Sequence, residues 1–165
     1  VSRSAASPED VELPGRGRLE VHAEAGQVVF VPLRGAARRL DAAGLLAEPG
    51  RLARVASDDG RTALLARHAA ERLWVFDAER TALRPVPGFA RLRRAEELHL
   101  HAVADGYLVI TENGVAALDR RGRERWRIDE VTAGWRLLEA APGVHWLRDG
   151  AGNVLGLDAA TGEEV

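Results

Sequence analysis

A short phrase recurs along this chain at a spacing close to forty residues. An apolar residue, an aspartate and a polar turn stand together at Leu40-Asp41, Phe76-Asp77, Leu118-Asp119 and Leu157-Asp158. The aspartates are separated by 36, 42 and 39 residues. A turn glycine (Gly26, Gly60, Gly106 or Gly143) precedes each aspartate by 13 to 17 residues. Two landmarks holding register over four copies mark a repeat architecture, in which each copy is one supersecondary unit. The repeat constrains the fold far more than it constrains the function.

The third copy shows what one unit contains. Leu98, Leu100 and Ala102 alternate with His99, His101 and Val103, the period of a strand. Asp105-Gly106 is a strong hairpin signal, and Tyr107–Ile110 reads as a buried strand. Glu112-Asn113-Gly114 turns again, Val115–Leu118 is a third strand, and Asp119–Gly122 forms a third turn. Asp suits such a turn because its carboxylate bonds backbone N–H groups two residues on. From Glu124 to Asp129, Trp126 and Ile128 alternate with Arg125 and Arg127, giving a half-exposed fourth strand. Four antiparallel strands joined by tight turns make one blade of a β-propeller.

The other copies follow the same template. The units run approximately over 19–48, 51–88, 97–130 and 134–165, within a repeat domain of 19–165. Residues 1–18 read as an N-terminal tail. Val11 and Leu13 alternate there and are placed to fill the fourth-strand position of the last unit, where only Gly162–Val165 remain. The expected class is all-β and propeller-like, with about four blades of four antiparallel strands. It is either a small closed ring or part of a larger propeller. A helical alternative over Leu64–Phe76 is disfavoured by the Asp59-Gly60 turn and the Leu73–Phe76 run. Phe89–Glu96 falls in the connection between the second and third units and carries helical spacing.

Composition bounds the function classes. The chain has 165 residues, 46% hydrophobic and 29% charged, a globular balance with enough length for a core. A net charge of −2 lacks the basic excess of a nucleic-acid footprint. No apolar run approaches membrane-spanning length, so neither nucleic acid nor membrane is expected as a partner. Cysteine is absent, which removes disulfides, thiolate metal sites and cysteine nucleophiles. Every one of the 23 basic residues is Arg, the mark of a GC-rich genome. The compartment is open; the lack of an apolar leader in this chain tilts the expectation toward the cytoplasm.

The third and fourth copies also carry a resemblance. Gly114-Val-Ala-Ala-Leu-Asp-Arg-Arg-Gly-Arg-Glu-Arg-Trp126 and Asn153-Val-Leu-Gly-Leu-Asp-Ala-Ala-Thr-Gly-Glu-Glu-Val165 resemble the repeats of quinoprotein-like, pyrroloquinoline-quinone-type β-propellers. The phrase of that superfamily is Ala-x-Asp-x-x-Thr-Gly-x-x-x-Trp. Asp158, Thr161 and Gly162 match it, with Gly156 in place of Ala and the chain stopping one residue before the Trp. Ala117, Asp119, Gly122 and Trp126 match in the third copy, whose turn is one residue short and lacks Thr. The first two copies keep little beyond Asp41 and Asp77. The resemblance implies the propeller fold and a docking role for Trp126 between neighbouring blades. It does not imply a bound quinone, because many members of the superfamily hold no cofactor. Trp74, Trp135 and Trp146 read as core or blade-face residues.

Chemistry beyond the fold is sparse. His99 and His101 share one strand face and could meet one ion, but no third ligand stands at a suitable spacing. Glu96-Glu97 and Glu163-Glu164 are consecutive, so on a strand they diverge. The clusters Arg91/Arg93/Arg94 and Arg120/Arg121/Arg123/Arg125 read as solvated or protein-contacting faces. No catalytic, cofactor or metal residue is assigned. Asp41, Asp77, Asp119, Asp158, Gly122 and Gly162 are expected to shape turns, and Trp126 to pack a seam. The expected function is a non-enzymatic interaction or scaffold module that contacts another protein or other domains of a longer parent. Self-association is expected if the propeller is incomplete. The alternative is a fragment of a quinoprotein-like enzyme or sensor whose ligand site lies elsewhere.

Overall fold

Burial along the strands reveals the stacking before any topology is traced. Thr62–Arg67 and Gly106–Thr111 are buried at every position, whereas Val144–Arg148 alternates between buried and exposed residues. A strand buried on both faces belongs to a sheet covered on both sides, and an alternating one to a sheet covered on one side. The computed structural model of the protein describes residues 9–47, 50–67, 72–86, 97–129 and 134–165. Residues Phe89–Glu96 and the Arg91/Arg93/Arg94 cluster lie outside that set.

The described residues form four antiparallel sheets in chain order. The first holds β1 (Val11–Leu13), β2 (Gly17–His22), β3 (Gln27–Pro32) and β4 (Arg38–Asp41). The second holds β5 (Leu52–Ala56), β6 (Thr62–Arg67), β7 (Leu73–Asp77) and β8 (Ala82–Pro85). The third holds β9 (Leu98–Val103), β10 (Gly106–Thr111), β11 (Gly114–Asp119) and β12 (Glu124–Ile128). The fourth holds β13 (Arg136–Ala141), β14 (Val144–Arg148) and β15 (Val154–Asp158). Each sheet is a meander, every strand pairing with the next in sequence. The stretch from Leu64 to Phe76 is therefore strand β6, a connection and strand β7.

Three apolar seams join the sheets. Val28 and Phe30 of the first sheet meet Leu65 and Phe76 of the second, with the Phe30 and Phe76 rings 5.1 Å apart. Leu64 and Val75, on the opposite face of the second sheet, meet Tyr107, Val109 and Leu118 of the third. Leu108, Ile110 and Trp126 then meet Trp135, Leu147 and Leu157 of the fourth. The first strands of successive sheets lie together, β1 against β5 and β5 against β9. The first three sheets thus fan from one edge, and among the described residues the four sheets do not close into a ring.

The first sheet departs from the sequence frame by one strand. Val11–Leu13 pairs with β2 and does not fill the last sheet. The pairing continues an apolar face: Val11 lies opposite Leu19, which lies opposite Phe30. Asp10 secures it, its carboxylate accepting from the Val21 N–H at 3.0 Å and its carbonyl from Arg54 Nε at 3.0 Å. Asp41 consequently ends a fourth strand, whereas Asp77, Asp119 and Asp158 each end a third. The turn after β1 sits beside the turn after β5, so closely that a Cβ on Gly60 would lie 2.2 Å from the Pro14 carbonyl oxygen. The spatial counterpart of the Gly60 turn is therefore the Pro14–Arg16 turn, and Gly26 turns the chain at the opposite end of its sheet. A single helical turn, α1 (Ala43–Leu46), follows β4 and buries Leu45 in the first seam.

This shifted frame separates two glycines that the sequence treats alike. Gly60 is crowded by backbone at φ +69°, while a Cβ on Gly26 would meet nothing within 4 Å. Gly60→Ala is expected to cost roughly 2 kcal/mol or more, against about 1 kcal/mol for Gly26→Ala, as read by urea denaturation of the two variants.

Candidate interaction surface

The turn aspartates explain the repeated phrase and show what it does not do. Asp41 Oδ1 accepts from the Ala43 N–H at 3.1 Å, and Asp77 Oδ1 from the N–H groups of Glu79 and Arg80. Asp119 Oδ1 accepts from Arg121 at 2.8 Å and Arg123 at 2.9 Å. Asp158 Oδ1 accepts from Ala160 and Thr161, both at 2.9 Å, and from the Thr161 hydroxyl. Those backbone donors hold the Asp158 carboxyl below its ordinary value. Asp59 and Asp149 brace turns in the same way and fall outside the repeated phrase; Asn153 bonds are the main influence lowering the Asp149 carboxyl, and the Arg61 N–H the main one at Asp59. These groups are engaged with backbone on separate turns.

Trp126 packs the third seam. Its indole is 8% exposed, and Nε1 donates to the Ala159 carbonyl at 3.0 Å. The ring lies flat against the turn after β15, where a Cβ on Gly162 would be 2.5 Å from it. Gly122 occupies the matching turn of the third sheet and lies against Val75 and Val86 of the second. Trp74 and Trp135 are buried.

One register position is instructive across the seams: Ala63, Tyr107 and His145 each lie opposite the residue before the repeated aspartate, Phe76, Leu118 and Leu157. The Tyr107 hydroxyl reaches across to the Thr62 hydroxyl, and burial pushes the phenol's pKa up. At the next seam His145 is shorter, and Gly106 stands where the second sheet has Thr62. The missing side chains leave a cleft of about 330 Å³, bordered by Val103, Tyr107, Leu118, Arg125, His145 and Asp158. His145 lies 6.5 Å from Trp126, ring centre to ring centre. Burial holds its imidazole below 6.5, with Asp158 acting weakly in the other direction. His99 and His101 point to the same side of β9, and burial followed by the His99 charge lowers His101. Among the described residues no group of three His, Asp or Glu side chains is placed to hold a metal ion.

The outward face of the fourth sheet differs from every other apolar face. Leu64, Leu108 and Trp146 occupy one register position, opposite Val75, Ala117 and Gly156. Leu64 and Leu108 are fully buried by the following sheet, but Trp146 is 37% exposed. Its ring lies over Gly156, where a Cβ would be 2.7 Å from it. Leu138, set out by a bulge in β13, and Val154 extend the patch at 47% and 54% exposure. Arg136 and Arg148 lie opposite each other at one end of this face. Sequence periodicity places Trp146 on a strand; it carries no signal that no sheet among the described residues covers it.

The fold is of the β-propeller type. No family model matches the chain, and no curated protein matches its sequence. Solved structures do. BamB from Moraxella catarrhalis superposes with a TM-score of 0.63 at 16% identity, covering 99% of this chain and 50% of that one. The extracellular domain of BT4673 from B. thetaiotaomicron matches in two structures. Their TM-scores are 0.53 and 0.52 at 12% identity, covering 86% and 94% of this chain but 21% and 24% of theirs. The chain spans about half the length of BamB and about a quarter of the BT4673 domain.

The depressed histidines set a pH dependence. The unfolded chain takes up protons first as pH falls through about 6.5, while the folded imidazoles stay neutral to lower pH. Stability is full above that value and declines below it, well before the turn carboxylates are protonated. The urea midpoint is expected to fall between about pH 7.5 and about pH 5.5, and the His101→Asn/His145→Phe double variant is expected to flatten that part of the profile.

Proposed function

We propose that this chain is a non-catalytic β-propeller module of the quinoprotein-like repeat type that holds another protein, or another domain of a longer polypeptide, on the outward face of its fourth sheet. The observation that carries this reading is Trp146. It occupies the register position that is sealed by the next sheet twice before, yet here it stands at the surface beside Leu138 and Val154. An exposed apolar patch of this kind, rimmed by Arg136, Arg148 and Glu139, has the anatomy of a contact surface. The neighbours support the same reading through length, since each continues well beyond the part that superposes on these four sheets. The docking of Trp126 on the Gly162 turn supports the repeat type. The non-catalytic part of the proposal is supported by the use of the carboxylates for turns and ion pairs.

The test is sedimentation equilibrium together with binding of a hydrophobic dye. The unpartnered face is expected to drive concentration-dependent association and dye fluorescence. Trp146→Glu/Val154→Glu is expected to weaken association at least about tenfold, the equivalent of losing one buried aromatic contact, without changing the circular dichroism. Equal behaviour of the two proteins would overturn the proposal.

A further inference from the structure

The second seam is closed at its turn end by a clasp that the third seam lacks. Arg120 follows the repeated Asp119. Its Nη1 donates to Asp59 Oδ2 at 3.1 Å, and its Nη2 donates to the Ala104 carbonyl at 3.2 Å. One guanidinium thus ties the β5–β6 turn of the second sheet to the β9–β10 turn of the third. Beside it the Tyr107 hydroxyl meets Thr62.

The third seam keeps the turns and loses the filling. Ala159 follows Asp158 where Arg120 follows Asp119, His145 stands for Tyr107, and Gly106 stands for Thr62. The acceptors that a clasp would join are still supplied. Asp105 lies in the β9–β10 turn as Asp59 lies in the β5–β6 turn, and Pro142 follows β13 as Ala104 follows β9. Asp105, Pro142, His145 and Ala159 all border the cleft of about 330 Å³. The Asp105 carboxylate forms no ion pair with a described residue. His145 is 5% exposed, and its Nδ1 is buried with no hydrogen-bond partner. Such a group is uncommon in a folded protein, and a small shift of the ring toward an occupant relieves it.

We propose that this cleft binds the alkylguanidinium group of a ligand, with the planar head bridging Asp105 and the Pro142 carbonyl and the methylene stem lying between the third and fourth sheets. The head follows from geometry. Acceptors on two separate turns call for a rigid fork of N–H donors, which a guanidinium supplies and a compact ammonium does not. The stem follows from the walls, where Val103, Ala117 and Ala141 present small apolar groups. Charge points the same way: Asp105 and Asp158 border the cleft against one cation, Arg125. Burial also favours the neutral form of His145, which leaves no second positive charge in the wall. All of the lining residues fall within 103–160, so the site is independent of the exposed Trp146 face.

The experiment adds n-propylguanidinium, its uncharged isostere n-propylurea, or N-acetyl-arginine N-methylamide to the isotopically labelled full chain. Backbone amide shifts at Asp105, Gly106, Gly143, Ala159 and Ala160 are expected to saturate at millimolar levels of either guanidinium compound and to stay still with the urea. Tighter binding of the capped arginine assigns the group to a polypeptide side chain; equal or weaker binding assigns it to a free small molecule. Asp105→Asn preserves the hairpin turn and is expected to weaken binding about threefold with unchanged circular dichroism. Ala159→Arg supplies the clasp from within the chain; it is expected to abolish binding and raise the urea midpoint. Arg125→Ala is expected to keep or raise the affinity. Equal response to the urea, no shifts, shifts elsewhere, or indifference to Asp105→Asn and Ala159→Arg would overturn the proposal. Weaker binding by the Arg125→Ala variant would overturn it too, because an anionic group would then be the one recognised.

Discussion

A sheet that is apolar on both faces has nowhere to stand except between two others. β6 and β10 are buried at every position, so the second and third sheets each need two neighbours. Leu64 and Ala66 serve one seam while Ala63 and Leu65 serve the other. That requirement orders the four sheets, sends the connections to their ends, and makes tight turns the only economical links. The repeated aspartates follow from it. A chain that must reverse in two to four residues exposes backbone N–H groups, and a carboxylate placed there satisfies two of them at once.

The seams are built on one plan with different fillings. Where the second and third sheets meet, a tyrosine fills the space and finds a hydroxyl across the seam. Where the third and fourth meet, the same register position holds His145, and the seam depends on Trp126 wedged against Gly162. Burying an indole contributes several kcal/mol in a well-packed site, so the wedge offsets the cleft left by the smaller imidazole. The lowered histidine pKa is the consequence of using an ionisable ring as filling.

Strand positions and turn chemistry were legible in the sequence because both are local. Alternation at Leu98–Val103, the Asp105-Gly106 hairpin and the unbroken Tyr107–Ile110 run each encode their own conformation. The one-strand offset of the first sheet was not legible. Gly26 and Asp41 make sound turns at either end of a sheet, and what decides their end is that Pro14 packs beside Gly60, a contact 46 residues apart in sequence. α1 escaped for a similar reason, since Ala43–Leu46 gains its helical turn by burying Leu45 in a seam. The exposure of Trp146 was hidden because the repeat itself predicts a buried residue there.

The two ends of the arc are chemically unlike. The outward face of the first sheet carries Glu12, Arg18, Glu20, Gln27 and Arg39 around Val29 and Val31, with Arg18 and Glu20 paired at 3.4 Å. Covering that face would strip water from several charges. The outward face of the fourth sheet presents Trp146, Leu138 and Val154. A polar outer face stands in water without a neighbour, and of these two faces the first sheet's is the more polar. Packing the last sheet onto the first to close a ring would therefore set an apolar face against a charged one. Among the described residues the exposed large apolar side chains Trp146, Leu138 and Val154 are thus gathered on the fourth sheet.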